Sequence, residues 1–189
     1  MPRLLVTMIK TNFRSTQEMK RRIAESRDRL FRVSLVWCGD RMLADDLTQE
    51  TMMLGIVNGH QLRDKNRLMP WLYSIMRNNW FRHMRRIKPQ VELDEKLPCE
   101  NGDPFYACQG TEMIDRVRRA VAALPEEQRQ VLSLVDLEEL SYCEVAQILD
   151  IPIGTVMSRL NRARKNLLAR LDRPAATPGV SRNVVQLVE

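Results

Sequence analysis

The chain has 189 residues, of which 44% are hydrophobic, only 5% aromatic and 29% charged, and its formal net charge is +6. This length allows two small domains, and the scarcity of aromatic residues favours helical bundles over β-sandwiches. No run of about 18 apolar residues is present, so we expect no membrane insertion. The short apolar start lacks a signal-peptide cleavage pattern, which predicts a cytoplasmic protein.

Charge is distributed unevenly along the sequence. Residues 1–90 contain 18 Lys/Arg against 8 Asp/Glu, whereas residues 91–115 contain 1 against 7. The basic first half indicates a polyanionic partner such as a nucleic acid. The acidic segment also contains two prolines and two glycines, which favour an irregular linker.

The four cysteines, Cys38, Cys99, Cys108 and Cys143, form no CxxC pair. With only two histidines to assist them, we expect no zinc site, no other metal and no cofactor. Disulfides are not expected in a reducing cytoplasm. Cys99 and Cys108 fall in the predicted linker, where a redox switch is one interpretation and two free thiols are the simpler one.

Apolar periodicity predicts helices throughout the first half and no strand. Ser15 and Glu18 form a possible capping box for the first helix, and Gly39–Asp40 is expected to end it. Asn78–Asn79 is expected to interrupt or bend the chain between the last two helices. The predicted helices run from about Thr16 to Trp37, Met42 to Val57, Met69 to Arg77 and Trp80 to Ile87.

The second half ends in a two-helix pattern. Two helices, from about Met113 to Ala123 and from Glu126 to Leu137, precede the stretch SYCEVAQILDIPIGTVMSRLNRARKNL. In that stretch Ser141 and Glu144 form a capping box, and the Asp-Ile-Pro sequence at 150–152 separates the two helices. This is the sequence form of a helix-turn-helix, which places its second helix in the major groove of DNA.

The second helix of this motif has two different sides. At about 100° per residue, Val156, Leu160 and Ala163 fall on one apolar stripe, and polar and basic residues face the other way. Arginine reads guanine edges or grips phosphate, and Ser and Asn contact bases or phosphate. A solvated, cation-rich last helix is the alternative, which the capped partner helix and the short turn disfavour. The candidate DNA-contacting residues are Thr155, Ser158, Arg159, Asn161, Arg162, Arg164 and Lys165.

Three blocks of this sequence resemble the sigma-70 family of bacterial transcription initiation factors, specifically the extracytoplasmic-function (ECF) group that has only regions 2 and 4. ADDLTQET (44–51) is similar to region 2.2, and WLYSIMRNNWFRHMRR (71–86) to regions 2.3 and 2.4. The block from Ala123 to Arg164 is similar to region 4. WLYSIMRNNWF also resembles the general-stress sigma factors of alphaproteobacteria. The resemblance implies an all-α fold with an extension (1–15), region 2 (16–88), an acidic linker (89–112), region 4 (113–172) and a tail (173–189).

The resemblance also implies a division of labour. Region 2 is expected to bind the clamp helices of the polymerase β′ subunit and to open the −10 element, and region 4 to bind the −35 element and the β flap. The linker is expected to run near the RNA exit path. RNA polymerase core, promoter DNA and an anti-sigma factor are the implied partners, and no enzymatic activity is expected.

Two sets of region 2 residues carry these roles. Asp45, Asp46, Gln49 and Glu50 lie within about one and a half turns of one helix and are implied to bind core polymerase, a solvated acidic face being the alternative. Asn78 is implied to hold a base flipped out of the −10 element, although it can equally cap a helix. The candidate −10 residues are Arg77, Asn78, Asn79, Trp80, Arg82, Arg85 and Arg86.

Three positions nearby bear on the shape of this base pocket. Trp71 fits a core position better than a stacking platform. Trp80 and Pro70 depart from the common family pattern, and Trp80 can itself stack on DNA.

Two other classes of protein are alternatives to a promoter-recognising sigma factor. A sigma-like decoy would bind an anti-sigma factor and no DNA, and it would not need the basic residues of the last helix. An enzyme with a DNA-binding tail, such as a recombinase or nuclease, would need clustered carboxylates, a nucleophile context or metal-ligand spacing, none of which occurs in the first half. The sequence therefore predicts a sigma factor.

Overall fold

The computed structural model describes residues 17–87 and 112–172, and all regular elements within these two ranges are helical. The prediction of an all-α protein with two small domains is confirmed. The predicted extension, most of the predicted linker and the tail lie outside the described residues, as do Ser15, Cys99 and Cys108.

The first domain contains four helices around one core. They are α1 (17–25), α2 (Arg27–Cys38), α3 (Arg41–Asn58) and α4 (Leu68–Ile87), with two short 3-10 turns, Gly59–Gln61 and Lys65–Arg67, between α3 and α4. The largest fully buried side chains include Trp37, Tyr73, Leu72 and Met76. The core therefore forms where α2, α3 and α4 meet, which fixes the outward faces of α3 and α4.

The first predicted helix is divided at Ser26. The Ser26 hydroxyl donates to the Arg22 carbonyl at 2.8 Å, and the Ser26 N–H lies near both the Arg22 and Ile23 carbonyls. A serine that bonds back to the preceding turn in this way often bends a helix. The predicted end at Gly39 is confirmed, since Gly39 adopts the left-handed conformation (φ 70°) and its N–H bonds to Leu35.

The predicted interruption at Asn78–Asn79 is wrong, because α4 runs without a break from Leu68 to Ile87. Asparagine is a weak helix former, but packing overrides this preference when the residue is enclosed. Asn79 is only 2% exposed, and the neighbouring Trp80 is 4% exposed. Both residues therefore point into the protein from the middle of a continuous helix.

The second domain contains four further helices. They are α5 (Glu112–Ala122), α6 (Glu126–Leu132), α7 (Tyr142–Leu149) and α8 (Ile153–Leu171). The predicted helix from Glu126 to Leu137 changes at Ser133 into a π-helical turn, Ser133–Leu137, in which the Glu138 N–H bonds to the Ser133 carbonyl at 3.1 Å. Such turns accommodate one extra residue and are frequent at functional positions.

The helix-turn-helix is present as predicted in α7 and α8. Ser141 accepts from the Glu144 N–H, and the Glu144 carboxylate accepts from the Ser141 N–H at 3.0 Å, which completes the capping box. Asp150 takes the left-handed conformation (φ 54°) at the end of α7, and Pro152 precedes α8. Val156, Leu160 and Ala163 are buried, so the opposite side of α8 faces outward.

The two domains pack against each other. The α2 helix contacts α6 and the π-helical turn, and α4 contacts α7. Within this interface the buried indole N–H of Trp37 donates to the Ser133 hydroxyl at 2.9 Å.

Candidate nucleic-acid interface

The outward face of α8 presents an uninterrupted polar and basic row. Ser158, Asn161, Arg162 and Lys165 are exposed, and Thr155 is half-buried beside them. Within the described ranges, neither Arg162 nor Lys165 forms an ion pair. These two cations can therefore bind a polyanion without breaking an ion pair within the described residues.

Arg159 and Arg164 differ from their neighbours because each is already paired within the second domain. Arg159 lies 2.8 Å from Glu127, and its side chain is 23% exposed. Arg164 donates two hydrogen bonds to the Asp136 carboxylate, an interaction that raises the pKa of Arg164. Arg159 therefore connects α8 to α6, and Arg164 connects it to the π-helical turn that follows α6.

A second basic face lies on α4. Its exposed cations border a shallow depression, and Asn78 is exposed at its edge. The Arg77 guanidinium lies 4.7 Å from the centre of the Phe81 ring, which orients it within the depression. The depression is lined by Arg77, Asn78, Phe81, Arg82, Arg85 and Arg86.

Asn79 and Trp80 do not share this face. The Trp80 indole N–H donates to the Glu126 carboxylate of the second domain, and its ring stacks on His83. Both amide atoms of the Asn79 side chain are buried without a hydrogen-bond partner among the described residues. Trp71 packs partly buried against the core, as expected. The structure therefore brings together five of the seven predicted −10 residues and separates these two.

The four predicted polymerase-binding residues lie together on α3. Asp45 accepts from Arg27 at 2.8 Å and from the Gln49 amide at 2.6 Å. Glu50 lies 3.3 Å from Arg82 of α4, which links this acidic face to the basic one. Asp46 is exposed, and no ion pair holds it within the described part of the chain.

The sequence did not single out an apolar patch beside these residues. Met53, Ile56 and Val57 are 59%, 40% and 64% exposed, and they border a groove with Arg27 and Gln49. In the sequence, the apolar residues of α3 fall on more than one side of the helix. A helix that packs only against the core has a single apolar stripe, so this spread was the sign of an exposed patch. This patch lies beside the acidic face of α3, so the two together form a mixed surface of apolar and charged groups.

Three other properties of the described residues were expected from the sequence or follow from burial. No cluster of three or more His, Cys, Asp or Glu side chains that could hold a metal ion is found within 17–87 and 112–172. Among the helices of these same ranges, none combines the length and the apolar character needed to cross a membrane. Of the two cysteines described, Cys143 is exposed, and burial raises the pKa of the Cys38 thiol to about 12.

Comparison with known proteins agrees with this geometry. Residues 23–89 match the family described as Sigma-70 region 2, and residues 114–167 match Sigma-70, region 4. The ECF RNA polymerase sigma factor EcfG of Rhodopseudomonas palustris is 33% identical over 148 residues, covering 76% of this chain and 78% of that protein. The ECF RNA polymerase sigma factor SigM of Bacillus subtilis is 31% identical over 147 residues, covering 76% and 89%.

A solved structure shares the fold. It is the sigma factor RpoE of Bartonella quintana in complex with the anti-sigma factor NepR, with a TM-score of 0.69, 24% identity and coverage of 83% of this chain and 99% of that one. The two matched regions occupy the two helical domains, and the helix-turn-helix lies inside the second match. The chain therefore belongs to the ECF group of the sigma-70 family and is an RNA polymerase sigma factor that directs transcription initiation.

Proposed function

We propose that the exposed row of α8 reads the −35 element of the promoter. The observation that carries this assignment is the position of Arg162 and Lys165, which face outward opposite the buried stripe and have no internal ion pair within the described ranges. Ser158 and Asn161 lie on the same face and supply neutral hydrogen-bonding groups. Arg159 and Arg164 act mainly by positioning α8 through Glu127 and Asp136.

The depression on α4 is the proposed site for the −10 element. Exposed cations for the DNA phosphate backbone are offered by Arg82, Arg85 and Arg86. Asn78 offers an amide to a base edge. An extruded base must be stabilised by a pocket, because flipping costs a few kcal/mol. The Arg77 guanidinium, which lies over the Phe81 ring, provides a planar cation beside Asn78. Trp80 is not assigned to stacking, because its ring is enclosed.

The mixed surface of α3 is the proposed contact with core polymerase. Asp46 and Gln49 offer polar groups, and Met53, Ile56 and Val57 offer apolar area beside them. Interfaces of this kind combine an apolar centre with a polar rim. Region 4 is proposed to contact the β flap, and no catalytic step is assigned to the chain itself.

An anti-sigma factor is a further proposed partner. The Bartonella quintana structure supports this proposal, because it is a complex of a sigma factor of the same fold with an anti-sigma factor. The general-stress type of alphaproteobacteria is also proposed, on the resemblance of the WLYSIMRNNWF block. We place the protein in the cytoplasm, where polymerase is found.

The direct test is in vitro transcription with core polymerase and genomic DNA, followed by mapping of the start sites. We expect initiation at a set of promoters that share −35 and −10 sequences. Core polymerase alone is the control for sigma-independent starts. Failure to initiate at any promoter, despite a folded protein, would favour the decoy over a sigma factor that reads DNA.

A further inference from the structure

We propose that Met157 reads the 5-methyl group of a thymine in the −35 element and is a specificity-determining residue of α8. This role rests on the proposed binding of the α8 face to −35 DNA. It goes beyond that assignment because Met157 lies outside the polar row and offers no strong hydrogen-bonding group. It therefore adds recognition of an apolar group to a surface that otherwise recognises polar ones.

Met157 is a large apolar side chain that the core of the second domain does not use. Its exposed fraction is 53%, and it does not belong to the hydrophobic core of the described residues. The buried stripe of α8 is supplied by Val156, Leu160 and Ala163. Single exposed apolar residues are common on protein surfaces, so the position of Met157 relative to the DNA-binding row decides its role.

Met157 lies at one edge of the proposed reading face, and Arg162 lies at the opposite edge. The centre of the face is the row of Ser158, Asn161 and Lys165, and all five side chains are exposed. At about 100° per residue, Met157 lies about 70° from this centre on one side and Arg162 about 70° from it on the other. When α8 occupies the major groove, Met157 is therefore as close to the base pairs as Arg162 is, on the other side of the helix.

The N-terminal end of α8 is open to close approach by a duplex. Gly154 lies on the same face, one turn before Ser158. Apart from its chain neighbours and the backbone of its own helix, no described atom lies within 4 Å of the position that a Cβ would take at Gly154. A recognition helix contacts base edges through its N-terminal residues. Met157 is the fifth residue of α8, so it lies in the part of the helix that meets the bases.

The chemistry of this edge suits a thymine methyl group. In the major groove, the 5-methyl group distinguishes thymine from the other three bases, and proteins recognise it by apolar contact. The flexible, polarizable thioether of Met157 adapts well to such a group. Ile153, one turn before Met157, is 45% exposed and extends the apolar edge. The Ser158 hydroxyl donates to the Thr155 carbonyl at 3.1 Å, so its hydrogen is already used within α8.

The test uses holoenzyme assembled from the full chain and core polymerase, and duplexes that contain a mapped promoter. Each thymine of the −35 element, on either strand, is replaced in turn by deoxyuridine, which lacks the 5-methyl group and keeps the Watson–Crick hydrogen bonds. Competition against a labelled promoter measures the affinity for each duplex. At one thymine position the wild type should bind the deoxyuridine duplex about fourfold more weakly, which is the effect of one buried methyl group. Met157→Ala should bind the thymine and deoxyuridine duplexes equally.

Three further variants separate a base contact from a general effect on folding or on polymerase binding. Met157→Leu keeps an apolar side chain and should keep the deoxyuridine effect, whereas Met157→Gln keeps the length without the apolar end and should lose it. Leu168→Ala, which removes an exposed apolar side chain near the other end of α8, should respond to deoxyuridine as the wild type does.

Two results would overturn the Met157 contact. One is a wild-type holoenzyme that responds to deoxyuridine at no −35 thymine, and the other is a full response that persists in Met157→Ala and Met157→Gln. Arg162→Ala in the same assay tests the α8 face independently. A changed promoter preference in Arg162→Ala would uphold the −35 role of α8 even where the Met157 contact is rejected.

Discussion

At the scale of single residues, the arginines of α8 differ in what they contact. Arg164 is held by Asp136 and Arg159 by Glu127, whereas Arg162 projects outward with no ion pair among the described residues. An alanine substitution therefore has a different structural effect at each of these positions. At Arg162 it removes a group available to DNA, and at Arg164 it leaves Asp136 without its partner.

We expect Arg162→Ala to weaken −35-dependent transcription. If Arg162 makes a bidentate base contact, the loss is about 1–3 kcal/mol at the preferred promoter. Transcription from promoters with single-base changes in the −35 element measures the preference. Arg170→Ala, the same charge change near the end of the same helix, is the control. An unchanged promoter preference in Arg162→Ala would remove this residue from the reading face.

We expect Asn78→Ala to slow promoter opening more than it weakens closed-complex binding. Because the proposed contact of the exposed Asn78 amide is with a base that has left the duplex, its loss is felt after initial binding. Stopped-flow measurement of opening, together with a gel-shift measurement of the closed complex, separates the two steps. Asn66→Ala, an exposed amide outside α4, is the control. Equal effects on both steps would show that Asn78 has only a structural role.

At the scale of the elements, the capping box of α7 supports the whole helix-turn-helix. Hydrogen bonds from the Ser141 side chain and backbone lower the pKa of Glu144 from its ordinary value of 4.5. The folded state therefore binds fewer protons at this carboxyl than the unfolded state does. Its contribution to stability is present above the unfolded pKa and is lost as the pH falls through the lowered folded pKa.

We expect Ser141→Ala to reduce the free energy of unfolding by about 0.5–2 kcal/mol near neutral pH, because one free N–H of α7 loses its cap. The difference from wild type should shrink as the pH falls below the ordinary Glu pKa of 4.5. Urea unfolding at several pH values measures both effects. Glu139→Gln, which removes an exposed carboxyl of the same domain, is the control. A pH-independent loss in Ser141→Ala would contradict the carboxylate's part in the cap.

At the scale of the whole molecule, the two domains behave as one packed unit in which polar groups cross the interface. The buried Trp37 indole donates to Ser133, and Arg129 donates to the Trp37 carbonyl at 3.2 Å. The Trp37–Ser133 bond is buried, so removing one partner leaves the other unpaired and away from water. The interface is therefore specific in geometry.

We expect Ser133→Ala to destabilise the chain by about 1–3 kcal/mol, because the buried Trp37 N–H would lose its acceptor. Urea unfolding followed by tryptophan fluorescence measures the loss. Ser74→Ala removes a hydroxyl that only bonds back to Pro70 within α4, and its effect should be much smaller. Equal losses in the two variants would mean that the Trp37–Ser133 bond does not hold the domains together.

The features that the sequence correctly predicted are local ones. The Ser141–Glu144 cap, the left-handed Gly39 and the buried stripe of α8 depend on residues three or four positions apart or on one backbone conformation. Such features follow from helix geometry alone. The exposed row at Ser158, Arg162 and Lys165 could be predicted for the same reason, as the side opposite the stripe.

By itself the sequence determined the helical fold class, the helix-turn-helix and the basic faces, because these depend on composition and on periodicity along one helix. Only the tertiary structure decided that α4 is continuous, that Trp80 is enclosed by Glu126, and that Glu138 enters the first domain to meet Arg29. These partners lie 46 and 109 positions apart in the chain. Residue spacing within one helix does not predict such contacts, because they form only when two helices that are distant in the chain pack together.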